Sequence, residues 1–318
     1  MNIFKRLLKK KDIVTASKGK FSELRGILLE IKRPRERISR SESRGKVFSC
    51  LGELLWYLSK TNKLKQIEYY IPRYKKFSDD GKIVYGAYGP RFFNMHNGIN
   101  QIENIINILK TKPTTRQAVI QLFDAIDLVE KHKDVPCTST LQFFIRNQKL
   151  HLITNMRSND AFLGLPHDVF TFTMIQEIIA STLDYELGSY KHFVGSLHLY
   201  EKNFKKAEDF VDEGWHLSTP MPKMPQSNIW KEIKILLNAE EKIRTGKEVN
   251  IDNLKIDNYW KDLARLLRIF NLKNKKSAIE KIKEQMSTDV YIPYIENRQI
   301  QAKKAIEAEQ LTFFKNNN

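Results

Sequence analysis

Cys137 is one of only two cysteines in the 318-residue chain. Pro136 precedes it, and the apolar, aromatic run TSTLQFFI at 138–145 follows. A thiol in that setting is either buried filler or a nucleophile. Neither it nor Cys50 has zinc-ligand spacing, and the pair makes no disulfide framework, so reduced sulfur in a cytoplasmic protein is expected. Glu53 is the second candidate, set among Leu51, Leu54, Leu55 and Trp56 in CLGELLWYLSKT at 50–61. Burying a charge is costly unless it is paired. Either helix rotation brings Glu53 to the surface, or a carboxyl raised in pKa by burial sits in a cleft to organise water and move protons. A third group is the arginines: Arg35, Arg37, Arg40 and Arg44 in RPRERISRSESRGK at 33–46, Arg116 before a strand, and Arg157 with Ser158 after one. Guanidinium groups bind phosphate oxygens in pairs. An arginine loop alone is usually a solvated face. Arginines on several elements fit a phosphate pocket, without excluding RNA.

Other chemistries find little support. GAYG at 86–89 lacks the flanking pattern of a nucleoside triphosphate loop, and no G-x-G-x-x-G is present. His132, His151, His167, His192 and His198 are scattered, so no metal site is expected. The formal charge of +17, concentrated in the first 200 residues, attracts anions of any size. No signal peptide or membrane-spanning run is apparent.

The elements that must position these residues follow from periodicity. KFSELRGILLEI at 20–31 has helical spacing, with Phe21, Leu24, Ile27, Leu28 and Ile31 on one face. Helices are also expected over 50–61, 98–111 and 168–183. RQAVIQLFD, TLQFFIRNQKLHLITNMR and SYKHFVGSLHLY are rich in β-branched and aromatic residues, as strands are, with a turn at 147–149. Beyond 226 the pattern is helical only. The expected class is α+β: a basic lead over 1–19, a core over 20–225 and a helical extension over 226–318.

Five segments then fall into a recognisable order: ELLWYL at 53–58, YG at 85–86, PC at 136–137, MRSNDAFLGLPHD at 156–168 and GSLHLY at 195–200. Over about 35–205 the chain resembles the thymidylate synthase family, which includes deoxycytidylate and cytidylate hydroxymethylases. The resemblance implies a mixed β-sheet packed with helices. It also implies a homodimer that transfers one carbon from 5,10-methylenetetrahydrofolate to C5 of a pyrimidine nucleoside monophosphate. Cys137 would be the nucleophile, adding at C6 so that C5 can attack. Neighbouring positive charge favours the thiolate, and Arg157 is the candidate to provide it. Arg157, Ser158 and Arg40 would hold the phosphate, with Arg116 arriving from the other subunit. Glu53 would run a water network at the base, and Tyr85 would help remove the C5 proton. Gln142 would orient the nucleotide, and His198 and Tyr200 would bond the sugar hydroxyl. Asp160, Leu163 and Gly164 would form the folate side, Asp160 binding the pterin's donors.

Three positions depart from the family pattern. Gln117 stands where a second arginine is usual. Asp168 stands where the uracil-using synthases place asparagine. A carboxyl that holds a proton can accept from cytosine N4–H₂ and donate to N3, whereas a carboxylate facing uracil O4 sets acceptor against acceptor. The expected substrate is therefore dCMP or CMP, with dUMP methylation as the alternative. The chain also ends in LTFFKNNN instead of a small apolar tail. Closure that excludes water favours hydride transfer, so an altered tail favours a hydroxymethyl product. A synthase-like protein that had lost catalysis and bound nucleic acid is the rival class. Retention of Cys137, Glu53, Arg157 and Tyr85 together argues against it.

Overall fold

The computed structural model describes residues 2–16, 19–40, 45–214, 217–226, 228–272, 275–296 and 298. In chain order its elements are α1 (Asn2–Leu8), β1 (Ile13–Ala16), β2 (Gly19–Ile31), β3 (Ser39–Arg40), α2 (Val47–Leu58), α3 (Leu64–Tyr70), α4 (Tyr88–Phe93), α5 (Gln101–Thr111) and β4 (Val119–Gln121). There follow β5 (Thr138–Arg146), β6 (Lys149–Asp160), α6 (Leu165–Thr182), β7 (Glu186–Tyr200), α7 (Phe204–Asp212), β8 (Leu217–Ser218), α8 (Ile229–Arg244), α9 (Asn258–Leu272) and α10 (Lys276–Glu284). Arg44 and the terminal segment 299–318 lie outside the described residues. None of the described helices is long and apolar enough to cross a membrane.

One sheet, in the order β1-β2-β7-β6-β5-β4, organises the molecule. Asn147 and Gln148 adopt φ of 50° and 57°, a two-residue turn whose twist matches the antiparallel β5–β6 hairpin. β6 and β7 run parallel, so the chain must cross over between them, and α6 is that crossover. α6 is apolar nearly all round because it packs on the sheet and against α2. Gln176 ties it down, its Nε2 donating to the Leu150 carbonyl at 2.9 Å.

The main core joins α2 and α6 to the sheet, and it continues without a break into α8 and α9 through Ile233, Leu236, Trp260, Leu263 and Leu267. Each such side chain, fully buried, stabilises by about 1.5–3 kcal/mol. A second cluster packs Phe4 and Leu7 of α1 against Leu24, Leu197, Leu199 and Ala207.

Two expectations are corrected. Residues 20–31 form a strand, not a helix: β2 pairs antiparallel with β7 from Phe21↔Tyr200 to Ile31↔Tyr190. Gly26, at φ 62°, explains the false helical spacing. Before it Ser22 and Leu24 are buried, and after it the half-buried residues are Ile27, Leu29 and Ile31. The burial face switches at the glycine, so Leu24 and Ile27 stand three apart as on a helix. Arg35 and Arg37, from the arginine loop read as either a solvated face or part of an anion pocket, instead clasp Glu177 of α6: Arg35 Nε lies 2.8 Å from Oε1, and Arg37 Nη2 bonds Oε2. Burial pushes the Glu177 carboxyl up, but Arg37, Arg35 and the Met224 N–H outweigh it and hold the group below its ordinary value.

Candidate active site

A cavity of about 700 Å³ opens where β5, β6 and β7 meet the side of α2 and the start of α6. That volume suits a small-molecule ligand, whose pockets span about 300–1,000 Å³. Pairing of the parallel strands sets Ser158 beside Ser196 and Asp160 beside His198. Gly86 also lines the cavity, where a Cβ would come within 2.5 Å of Asp134 Oδ2 and 3.2 Å of the Asp134 carbonyl, so a side chain there would have to displace Asp134.

Cys137 stands at the cavity edge, half-buried, just before β5. The Arg157 backbone N–H donates to its carbonyl at 2.8 Å. The Arg157 guanidinium is braced by the carbonyls of Pro136 and Val135, each at 2.9 Å, and Nη2 comes within 3.8 Å of the sulfur. A cation so placed favours anionic sulfur.

Glu53 does not rotate to the surface. It is buried on α2 and faces the cavity, where Tyr74 O–H donates to Oε1 and His167 Nδ1–H donates to Oε2 at 2.8 Å. Ser49 Oγ stands 3.3 Å from the far ring nitrogen. Burial pushes the Glu53 carboxyl up, yet His167, Tyr74 and Arg73 together hold it below its ordinary value, contrary to the elevation expected from burial alone. Burial also pulls His167 down, so the ring is neutral and acts as a hydrogen-bond donor to a carboxylate.

Asp168, in the first turn of α6, behaves oppositely. It reaches the cavity floor beneath Glu53. Burial first, and then the Glu53 charge, push its carboxyl well above the ordinary range. Asn159 Nδ2 donates to its Oδ2 at 3.1 Å. Two carboxyls on one cavity are thus pushed in opposite directions, Glu53 down and Asp168 up.

On the far wall Asp160 Oδ1 accepts from the backbone N–H groups of Phe162 and Leu163 at 2.8 and 2.9 Å, which leaves Oδ2 as a second acceptor. Leu163 and Gly164 line the same wall, and a Cβ on Gly164 would lie 2.9 Å from Asn159 Oδ1. His198 and Tyr200 face the cavity together with ring centroids 5.1 Å apart, and Phe21 of β2 packs on both.

A family model described as thymidylate synthase matches residues 43–265. The chain belongs to the thymidylate synthase family. Among its relatives, the deoxyuridylate hydroxymethyltransferase of Bacillus phage SP01 is 30% identical over 213 residues, 63% of this chain and 56% of that protein. The thymidylate synthase of Mycoplasma mobile is 29% identical over 160 residues, 50% of this chain and 51% of that protein. The thymidylate synthase of Bacillus mojavensis is 26% identical over 221 residues, 66% of this chain and 72% of that protein. The chain therefore spans just over half the length of the phage and Mycoplasma proteins. The family match runs past residue 225 into α9, in keeping with the shared core.

In this family member the cavity gathers Glu53, Cys137, Arg157, Ser158, Asp160, Leu163, Gly164, Asp168, His198 and Tyr200. Three expected residues, Tyr85, Arg116 and Gln142, are not among the described residues lining it, and the side chain of Arg40 lies outside the described residues. Tyr85 stacks on His132 at 3.5 Å, bonds Asp127 and has Arg91 over its ring. Arg116 is exposed at the β4 side, and its carbonyl accepts from Gln142 Nε2 at 2.8 Å. Arg40 is placed by its backbone in β3, opposite Leu217.

Among the lining residues that sequence reasoning did not assign are Tyr74, Tyr88, Asn159 and His167. Tyr88 meets the start of β5, its oxygen accepting from the Thr138 N–H at 3.1 Å and from Thr138 Oγ1 at 3.0 Å. Its own O–H remains to donate. Asn159 and His167 stood inside the recognised MRSNDAFLGLPHD segment, so a signal was there. Tyr74 carried none.

Proposed function

We propose that the protein transfers one carbon to C5 of a cytosine nucleoside monophosphate, dCMP or CMP, and leaves a hydroxymethyl group. The observation that carries this reading is the Asp168 carboxyl lining the cavity, held by Asn159 Nδ2 at 3.1 Å and biased towards its protonated form by burial and by the Glu53 charge. A neutral carboxyl offers one donor and one acceptor side by side, which complements N3 and N4–H₂ of cytosine.

In this reading Cys137 Sγ bonds to C6 of the ring, and the electron pair moves onto C5, making it nucleophilic. Arg157 supports the sulfur as an anion before addition and as a leaving group afterwards. Its free N–H groups and Ser158 take the phosphate, with Arg40. His198 and Tyr200 bond the sugar. The Glu53 carboxylate, fixed by His167 and Tyr74, orders water at the base and carries protons to and from it. Loss of the C5 proton, with Tyr88 or Tyr85 as its relay, would let the carbon donor's amine leave from the new carbon; water adds there, and Cys137 is then expelled from C6. The relatives named deoxyuridylate hydroxymethyltransferase favour hydroxymethyl over methyl.

5,10-Methylenetetrahydrofolate would supply the carbon at the oxidation level of formaldehyde. The residues present fit such a group: Asp160 retains a free acceptor for pterin donors, Leu163 gives an apolar wall, and Gly164 keeps that wall open.

A homodimer is part of the same reading. Leu28 and Phe193, register partners on β2 and β7, are 56% and 37% exposed, an apolar pair on an open sheet face. A second copy covering that face would bring Arg116 to the neighbour's phosphate. We place the enzyme in the cytoplasm, acting on free nucleotides and not on nucleic acid.

The phage relatives named deoxyuridylate hydroxymethyltransferase favour a second reading, hydroxymethylation of a uracil nucleotide. Incubation of the protein with methylenetetrahydrofolate and each of CMP, dCMP, UMP and dUMP, with products weighed by mass spectrometry, separates the two. A 5-hydroxymethylcytosine nucleotide is the expected product. A methylated or uracil product would overturn the proposal.

A further inference from the structure

Behind Asp168 a line of buried polar groups runs into the sheet. Asn159 Nδ2 lies 3.1 Å from Asp168 Oδ2 and 3.0 Å from His192 Nε2, and His192 Nδ1 lies 2.6 Å from the Tyr190 hydroxyl. All three are buried, on β6 and β7, and neither His192 nor Tyr190 lines the cavity. Buried polar groups not needed for contact with a ligand require another reason to be there.

We propose that Asn159, His192 and Tyr190 are positioning residues that fix which hydrogen-bonding face Asp168 turns to the base; this rests on reading Asp168 as the base selector. The chain has one sense. An amide nitrogen only donates, so His192 Nε2 must accept. A neutral imidazole then carries its proton on Nδ1 and gives it to the Tyr190 oxygen. Burial holds His192 down to about 3, so the ring is neutral at physiological pH. Nδ2 also lies 2.9 Å from Met156 Sδ, but a thioether is a weak acceptor, so the two amide hydrogens go to His192 Nε2 and Asp168 Oδ2. When the acid holds a proton, Oδ2 is thereby its carbonyl oxygen, and the proton belongs on Oδ1. The face left for the base is a donor at Oδ1 and a remaining lone pair at Oδ2, the complement of cytosine N3 and N4–H₂.

The opposite sense would invert the outcome. If Asn159 turned its oxygen to Asp168, the acid would donate from Oδ2 into the protein and present Oδ1 as an acceptor, which suits uracil N3–H. Asn159 Oδ1 has no partner in the observed orientation, although it is buried. Local hydrogen bonding therefore does not favour that orientation at the oxygen end. What holds it is the accepting nitrogen of His192, and what holds that tautomer is Tyr190.

The test uses the full-length protein, with dissociation constants for dCMP and dUMP by calorimetry and kcat/KM for both. His192→Phe removes the acceptor, and Tyr190→Phe removes only the oxygen that anchors the tautomer. The dCMP-to-dUMP preference should fall roughly tenfold in His192→Phe and a few-fold in Tyr190→Phe, with most of the loss on the dCMP side. His192→Gln, whose amide oxygen can accept from Asn159, should recover most of the preference. If His192→Phe does not fold, Tyr190→Phe carries the test. Equal weakening for both nucleotides, or an unmoved ratio in Tyr190→Phe, would overturn the inference. Wild-type preference for dUMP would overturn the cytosine reading by itself. A ratio that still moved in Tyr190→Phe would then support the chain, and one that did not would overturn it.

Discussion

His167 donates from Nδ1 to Glu53 Oε2 at 2.8 Å, joining the first turn of α6 to the middle of α2 at the cavity. The bond fixes both the tautomer of the ring and the direction of the carboxylate. His167→Phe should leave a buried carboxylate with one donor fewer. Burial would then raise Glu53, because the interaction lost is one of those holding it down. The acid limb of the kcat profile should move to higher pH, and kcat should fall roughly tenfold to a hundredfold at neutrality. A pH–rate series on both proteins measures it. An unshifted limb would mean that Glu53 does not titrate in turnover.

Cys137→Ala tests the nucleophile. The side chain is half-buried at the cavity edge, and its loss removes no core packing of consequence. Turnover should vanish, while circular dichroism and nucleotide affinity stay close to wild type. Product formation in this variant would refute covalent addition at C6.

Asp168→Asn should turn base preference from cytosine towards uracil, since the amide needs no held proton to face N3–H and O4. A change of about 2 kcal/mol corresponds to roughly thirtyfold in the ratio of kcat/KM values. If the protonated acid is the recognising form, cytosine activity should fall as pH rises through the elevated Asp168 value. That alkaline limb should be absent in the asparagine variant.

Arg116 is exposed and apart from its own chain's cavity. If it serves the neighbouring site, mixing inactive Arg116→Ala and Cys137→Ala chains should restore activity, because one hybrid site has both residues. Up to about a quarter of wild-type activity is expected from random pairing with one intact site in half of the dimers. No recovery on mixing, or a monomer by light scattering, would exclude a shared site.

Glu177→Ala would strand two arginines, with Arg37 and Glu177 both buried. Losing one partner of a buried pair costs about 3–5 kcal/mol, measurable by urea unfolding at pH 7. The folded-state value of Glu177 lies below the ordinary 4.5, so its contribution is complete above that pH and drains away as pH falls through the folded value. The gap between wild type and variant should therefore narrow in acid.

Much of the site was legible because its motifs are local. Arg157, Ser158, Asp160, Leu163, Gly164 and Asp168 fall within one strand end, its turn and the next helix, where spacing alone dictates proximity. The α6 helix and the β5–β6 hairpin were equally plain from apolar runs and the Asn147–Gln148 turn. β2 was not, since its residues satisfy a helical period. Pairing with β7 along almost its whole length decides the matter, because a strand's hydrogen bonds lie on another segment of chain.

The residue types alone established a thiol, an acid, a set of arginines and a carboxyl in place of an amide, and with them the class of chemistry. They did not establish which acid is charged. Glu53 is held down because α2 packs on α6, which brings His167 to it, and because the turn at 72–77 brings Tyr74, while burial and the Glu53 charge push Asp168 up on the same cavity. Nor did they establish that Arg35 and Arg37 are spent on Glu177, about 140 residues away in the chain. Charge state and pairing depend on what surrounds a group in space, and only the tertiary structure decides that.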